Sequence, residues 1–245
     1  MIERIKTGIP GMDDLIEGGI KQGSITLLAG PTGTLKTIIS SQFIYNGAKE
    51  YGEGGIYLTL EEKEDGIRQS LANFGMDVDA PEVKDKIQIV DLSGLRKRKP
   101  QFGESKERYA ISVDVLMETI TSITQKSDVK RLVIDSISIL GLLYKDQSDM
   151  RDDLFIFTEF LRESGLTSLL VTEIEEEYRG KRVSRFGLEE FLADGVVVLG
   201  YTQSKGELRR WATVRKMRFT DHNLHMHPVR ITPCGVEIVS TEKIY

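Results

Sequence analysis

A chain of 245 residues, 40% hydrophobic and 29% charged, has the balance of a soluble globular protein long enough to bury a full core, and a single α/β domain over residues 1–245 fits that length. A net charge of −5 argues against a surface built as a whole to hold polyanions. One cysteine, Cys234, excludes an internal disulfide framework and a cysteine-rich metal site and suits a reducing cytoplasm, while no apolar leader follows Met1 and no run of about eighteen apolar residues offers a membrane span.

Residues 7–23 read as a turn, a short amphipathic helix around Met12 to Ile16 and a second glycine-bounded turn. The apolar run Ile25 to Ala29 then reads as a buried strand, and a helix follows over 37–50. Between them lies Gly30-Pro31-Thr32-Gly33-Thr34-Leu35-Lys36-Thr37. This is the order a triphosphate requires. Backbone N–H groups of the loop, and of Ile38 in the first helical turn, converge with the positive end of the helix dipole; Lys36 neutralises β/γ oxygens and the Thr37 hydroxyl reaches Mg²⁺. A plain strand-to-helix turn explains Lys36 poorly, because a cation near a helix N-terminus opposes the dipole unless an anion sits beside it. One position departs from the G-x-x-x-x-G-K-[ST] pattern: Leu35 stands where glycine lets backbone approach phosphate without a Cβ, which predicts weakened binding and slowed hydrolysis.

Further strands are predicted at 55–60, 87–91, 131–135, 168–172 and 196–200, with helices near 62–74, 109–125 and 150–164. Most of these strands are apolar on both faces, the mark of parallel strands covered by helices on both sides. The strand ending at Leu60 delivers Glu61 and Glu62, and a carboxylate beyond a strand's carboxyl end is placed to polarise the water that attacks a γ-phosphate. An acidic helix start would account for the same pair through the dipole alone. The strand Leu132 to Ile134 ends in Asp135, suited to orient a Mg²⁺-bound water across from Thr37, although Asp-Ser is also a common turn start. Polar loops are expected over 93–108 and 175–185. The first carries Arg96, Lys97, Arg98 and Lys99 together with Glu104 and Glu107, which fits a solvated loop better than a nucleic-acid site; Arg179, Lys181, Arg182 and Arg185 in the second are the better polyanion candidates.

Beyond residue 194 the pattern turns to consecutive short strands, 196–201, 209–216, 226–231 and 236–240, an antiparallel extension of the same sheet. Lys216 and Arg218 share a strand face and make a two-cation comb able to meet a polyphosphate, though on the residues alone a solvated strand face is the better explanation, since long cations usually coat edges. His222, His225 and His227 lack the cysteine or acidic companions of a metal site.

Taken together, the loop at 30–37, Ser41 to Gly47, Tyr57 to Glu62, Val133 to Ile137, Val171 to Glu173, Arg185 to Phe191 and Arg215 to His222 resemble a single KaiC-type domain of the RecA-like ATPases along the whole chain. The resemblance implies a mainly parallel α/β sheet flanked by helices, ATP or ADP with Mg²⁺ as cofactors, Glu61 and Glu62 as the catalytic pair, and Lys36, Thr37 and Asp135 as phosphate and metal ligands. It also implies a homo-oligomeric ring, most simply a hexamer, in which Lys216, Arg218, Thr220 and His222 reach a neighbour's nucleotide. Leu35, and Pro233 where related domains carry an aspartate, depart from the pattern. Two other readings stay open: a nucleotide switch or scaffold that hydrolyses slowly or not at all, and a DNA-binding recombinase-like protein, which the net charge does not favour. A separate protein partner is expected, but its identity is not legible in the residues.

Overall fold

The computed structural model describes residues 2–96, 111–142, 144, 146–174, 189–204 and 206–244. Near the N-terminus β1 (Arg4–Ile5) pairs antiparallel with β2 (Ile20–Lys21). Between them the expected helix is a single 3-10 turn over Asp13–Leu15, because Asp13 Oδ1 is drawn back to accept from Thr7 N at 3.0 Å and Thr7 Oγ1 at 2.7 Å.

The main sheet contains β3 (Ile25–Gly30), β4 (Gly54–Thr59), β5 (Ile87–Asp91), β6 (Val129–Asp135), β7 (Thr167–Glu173), β8 (Gly195–Ser204), β9 (Glu207–Met217), β10 (His227–Thr232) and β11 (Gly235–Ile238). Their spatial order is β11-β10-β9-β8-β3-β7-β6-β4-β5. From β8 to β5 the neighbours run parallel, and from β8 to β11 they run antiparallel, as the sequence predicts.

The helices are α1 (Lys36–Tyr51), α2 (Glu64–Asn73), α3 (Val113–Thr124), α4 (Gln147–Ser164) and the single turn α5 (Glu189–Leu192). Their ends follow local chemistry. Ser112 and Asp146 cap α3 and α4 by accepting from Val115 N and Ser148 N, which starts α4 three residues earlier than its apolar spacing indicates. Gly52 and Gly165, both left-handed, close α1 and α4.

Both sheet faces are covered, which explains strands without polar alternation. Tyr57, Val133 and Val171 point to the side packed by Ile39 and Phe43 of α1, whereas Leu58, Leu132 and Ile134 meet Leu116 of α3 and Phe157 and Leu161 of α4. The described part of the loop predicted over 93–108 is a 3-10 turn at Ser93–Arg96. The remainder of the Arg96 to Lys99 cluster, and the whole of 175–185 with Arg179, Lys181, Arg182 and Arg185, lies outside the described residues.

One buried cation ties the N-terminal segment to this sheet. Arg131 on β6 is fully buried; it pairs with Glu53 at 2.5 Å and donates to the carbonyls of Lys6 at 2.8 Å and Phe43 at 2.9 Å. Its guanidinium also lies over the Phe43 and Tyr51 rings. Burial lowers its pKa, and Glu53 opposes that shift. Removing one partner of such a pair strands the others, so Arg131→Met is expected to lose about 3 kcal/mol in urea unfolding, read as a lower midpoint at constant slope.

Candidate functional site

The carboxyl ends of β3, β4, β6 and β7 open onto one cleft of about 250 Å³, lined by Thr32, Gly33, Leu35, Lys36, Thr37, Thr59, Glu61, Glu62, Asp135, Ser136 and Glu173. A parallel sheet presents its ligand crevice at this end. The floor is the loop between β3 and α1. Gly30, Pro31, Thr32, Gly33 and Thr34 turn tightly, with Thr34 donating to Pro31 O at 2.7 Å. Among the described residues no chain acceptor serves the N–H groups of Lys36, Thr37 and Ile38, and the first turn of α1 carries no acid. These orphan donors and the dipole make an anion seat.

Leu35 holds the helix entry with φ 72° and ψ 25°, the left-handed conformation that glycine adopts freely and other residues adopt at a cost. The sequence pattern flagged this position for its Cβ; the backbone shows a second reason, the sign of φ. Its side chain packs partly buried against the α1 face of the core. Apolar contact therefore offsets part of the backbone strain.

Lys36 is buried and folds back on the loop, its Nζ donating to Gly30 O at 2.8 Å and Pro31 O at 3.0 Å. Burial lowers its pKa, while Glu173, Asp135 and Glu61 act in the opposite direction. Thr37 Oγ1 donates to Asp135 Oδ2 at 2.9 Å, joining the loop to the end of β6 across the intervening β7. Burial raises the Asp135 pKa, and hydrogen bonds from Tyr57 and Thr37 and the charge of Lys36 restrain it.

Glu61 and Glu62 precede α2. Thr59 Oγ1 accepts from Glu62 N at 3.1 Å and donates to Glu62 O at 2.8 Å, folding the strand's exit back over the cleft. The first turn of α2 is made acidic by Glu64 and Asp65, so a dipole explanation of the earlier pair is superfluous. Ser136 Oγ donates to Glu61 Oε1 at 2.9 Å. Burial, then Asp135, then Glu61 raise the Glu62 pKa.

The cleft's donors suit a hydrated Mg²⁺. Thr37 and Asp135 supply hard oxygens side by side, and no group of three or more histidine, cysteine or acidic residues among the described ones could cage a metal by itself. Mg²⁺ characteristically takes one or two protein oxygens and completes its shell with phosphate and water.

Lys216, Arg218, Thr220 and His222 lie elsewhere. Lys216 pairs with Val196 and Val196 with Leu27, toward the amino end of the parallel strands, and Arg218 follows the end of β9. The comb is engaged by its own chain: Lys216 Nζ donates to Ala193 O at 2.6 Å and Glu190 O at 3.1 Å, and Arg218 Nη1 pairs with Asp194 at 3.1 Å. Thr220 Oγ1 accepts from Arg4 at 2.9 Å, and His222 Nε2 is buried without a partner among the described residues. Pro233 sits in the tight turn between β10 and β11. Fully buried His227 bonds the carbonyl of Glu242 at 2.6 Å, while His225 is exposed, so the three histidines do not converge on a metal.

Several site neighbours escape a reading by motif. Glu173 ends β7 as Asp135 ends β6, and that shared strand-end position was its signal. Tyr57 and Ser136 act through their hydroxyls. Arg210 on β9 donates to Gly33 O at 3.1 Å with its guanidinium over the Tyr201 ring of β8, a contact across 177 residues that no local pattern reveals.

Strand, phosphate loop and helix N-terminus, with carboxylates gathered at the ends of a mainly parallel sheet, define a P-loop protein of the RecA-like fold. The chain belongs to the KaiC family: residues 5–243 match the family described as "ATPase: KaiC". It is 37% identical to a UPF0273 protein of Thermotoga maritima over 99% of this chain and 98% of that one. It is 36% identical to the circadian clock protein KaiC3 of Synechocystis over 94% of this chain, which spans only 44% of that relative. The crystal structure of a KaiC-like protein from Pyrococcus horikoshii superposes with a TM-score of 0.82 at 39% identity, covering 97% of this chain and 99% of that one.

The left-handed backbone at Leu35 yields a test that separates φ from side-chain loss. Leu35→Gly and Leu35→Ala both remove the apolar contact, but only glycine is at ease there. Glycine is therefore expected to be the more stable variant by about 1 kcal/mol in urea unfolding, reversing the order found inside helices.

Proposed function

We propose that this protein is an ATPase domain that binds ATP with Mg²⁺ and hydrolyses it at the interfaces of a homo-oligomeric ring, most simply a hexamer. The observation that carries the reading is the convergence, in one cleft, of an anion seat at α1, the Lys36 ammonium, the Thr37–Asp135 oxygen pair and two glutamates. In this reading the loop from Gly30 to Ile38 cradles the phosphates, Lys36 leaves the carbonyls of Gly30 and Pro31 for β/γ oxygens, and Thr37 with Asp135 holds the hydrated metal. Bound Mg²⁺ would supply charge neutralisation on the phosphates. Glu62, whose environment favours proton uptake, polarises the attacking water; Glu61, held by Ser136, orients it.

The ring is supported by a separation. Leu27, in line with Lys216 through Val196, lies three residues short of Gly30, roughly 10 Å along the strand at 3.3 Å per residue, and the chain after Lys216 continues toward Arg4, away from the loop. Lys216 and Arg218 thus stand at the end of the sheet opposite their own phosphate loop. A nucleotide on a neighbouring subunit is the polyphosphate these cations would meet, exchanging the contacts with Ala193 and Asp194 for charge-assisted bonds in trans. The left-handed Leu35 favours slow turnover and keeps a nucleotide-dependent switch as the second reading. The recombinase-like reading rests on basic loops outside the described residues. No helix among the described residues is long and apolar enough to cross a membrane, and the lone cysteine supports a reducing cytoplasm.

Lys36→Ala is expected to abolish ATP binding in calorimetry, whereas Glu61→Gln/Glu62→Gln should keep binding and lose at least 100-fold in turnover, about the contribution of a general base. Undiminished affinity in the first variant overturns the site; undiminished turnover in the second overturns the water-activating pair.

Shared sites predict complementation. Subunits carrying Lys216→Ala/Arg218→Ala, mixed with Glu61→Gln/Glu62→Gln subunits, should regain activity that neither has alone. One chain's cations then complete a neighbour's intact glutamates. A mixture as inactive as its components excludes trans action.

A further inference from the structure

Tyr57 is an unusual neighbour for a metal-binding carboxylate. It sits on β4, 2% exposed, with the α1 side of the core packed around its ring. In the β4–β6 register Tyr57 faces Val133 and Thr59 faces Asp135, so Tyr57 and Asp135 are diagonal neighbours on one sheet face. An aromatic side chain spans that diagonal. Its hydroxyl donates to Asp135 Oδ2 at 2.7 Å and lies 3.3 Å from Ser40 Oγ, which itself donates to Thr37 O at 3.0 Å. Burying a hydroxyl costs stability unless it is hydrogen-bonded, and phenylalanine would fill the same space without that cost. Burial, with the adjacent Asp135 charge, drives the phenol pKa well upward and keeps it a proton donor.

The same oxygen, Oδ2, accepts from Thr37 at 2.9 Å, while Oδ1 has no hydrogen-bond partner among the described residues. Two donors therefore hold one oxygen, from the core side and the loop side, and oppose rotation of the carboxylate and its retreat from the cleft that it lines. Hydrogen bonds of this kind, one layer behind the ligands, preorganise a metal site, and their removal commonly weakens metal binding 10- to 100-fold.

We propose that Tyr57 is a positioning residue for the divalent cation: its hydroxyl locks Asp135 so that the carboxylate and the Thr37 hydroxyl meet Mg²⁺ already oriented. The inference rests on the Mg²⁺-ATP reading of the cleft and adds a residue that touches neither metal nor nucleotide. It assigns Tyr57 to the Mg²⁺-dependent part of ATP affinity alone, because the phosphate cradle of the loop does not involve its hydroxyl.

The test titrates ATP into the wild-type protein and Tyr57→Phe by calorimetry, first in EDTA and then across a Mg²⁺ series. Tyr57→Phe should leave affinity in EDTA within about twofold and raise the Mg²⁺ concentration at half-effect roughly tenfold or more. Ser40→Ala, which keeps the Tyr57–Asp135 bond, should leave the Mg²⁺ dependence unchanged. In the Asp135→Asn background, where no carboxylate remains to be held, adding Tyr57→Phe should have no further effect on Mg²⁺ dependence, and ATP affinity in EDTA reports whether each variant is folded. A drop in melting temperature with wild-type Mg²⁺ dependence makes the hydroxyl merely structural and overturns the proposal, as does an equal loss of affinity in EDTA. Wild-type protein that binds no ATP overturns the nucleotide reading, and the inference falls with it. Wild-type binding without the Tyr57 effect overturns the inference alone.

Discussion

A single hydrogen bond, from the Thr37 hydroxyl to the Asp135 carboxylate, depends on most of the sheet being in place. The two residues are 98 positions apart, Thr37 just after the loop that leaves β3 and Asp135 at the end of β6, and β7 lies between those strands, so their meeting requires β3, β7 and β6 to be parallel neighbours in register. Parallel order brings every carboxyl end to one side and gathers charge there, which is why a cleft rather than a flat rim forms. The same order demands helices on both faces, and those helices account for strands whose residues are apolar throughout. Glu61, Glu62 and Glu173 reach the cleft as consequences of that geometry.

Such a gathering of carboxylates is destabilising in itself. Asp135, Glu61, Glu62 and Glu173 share a partly dehydrated space with the Lys36 ammonium, and burial raises the pKa of both Asp135 and Glu62. The protein offsets this with donors: Tyr57 and Thr37 on Asp135, and Ser136 on Glu61. At the loop the balance has the opposite sign, with helix N–H groups that find no acceptor among the described residues and a lysine confined against two carbonyls. Negative potential on one wall and donors without a described acceptor on the other are charges that a polyanion and a divalent cation, in the reading proposed above, would balance together. Leu35 adds local backbone strain at the point where the loop becomes helix, the kind of cost that persists where surrounding packing over-determines a conformation.

The antiparallel extension gives the molecule a second polar end. Its hairpin touches the phosphate loop through Arg210 and Tyr201, while the far end of β9 delivers Lys216 and Arg218 beside Asp194, near the start of β3. One pair of strands thus contacts the nucleotide loop at one end and presents cations at the other. In the ring proposed above, head-to-tail contacts between copies would bring each chain's distal cations to the next chain's loop.

Much of this was legible in the residues because it rests on local chemistry. The loop from Gly30 to Thr37, the apolar strands ending in Glu62 and Asp135, and the change to short strands after residue 194 follow from periodicity, turn residues and charge. Together they determine a mainly parallel α/β fold with a phosphate loop. Helix ends shifted where a cap decided them, as at Ser112 and Asp146, and the helix expected at 12–16 gave way to a turn drawn in by the Thr7–Asp13 bonds. Only the tertiary structure decided that the Tyr57 hydroxyl falls on Asp135, that Arg131 is buried against Glu53 and the carbonyls of Lys6 and Phe43, that Arg210 meets Gly33, and that Lys216 and Arg218 stand away from their own loop. These are contacts between residues tens to hundreds of positions apart. Sequence spacing fixes the direction of a side chain on its own strand or helix, but strand order and register fix what it meets.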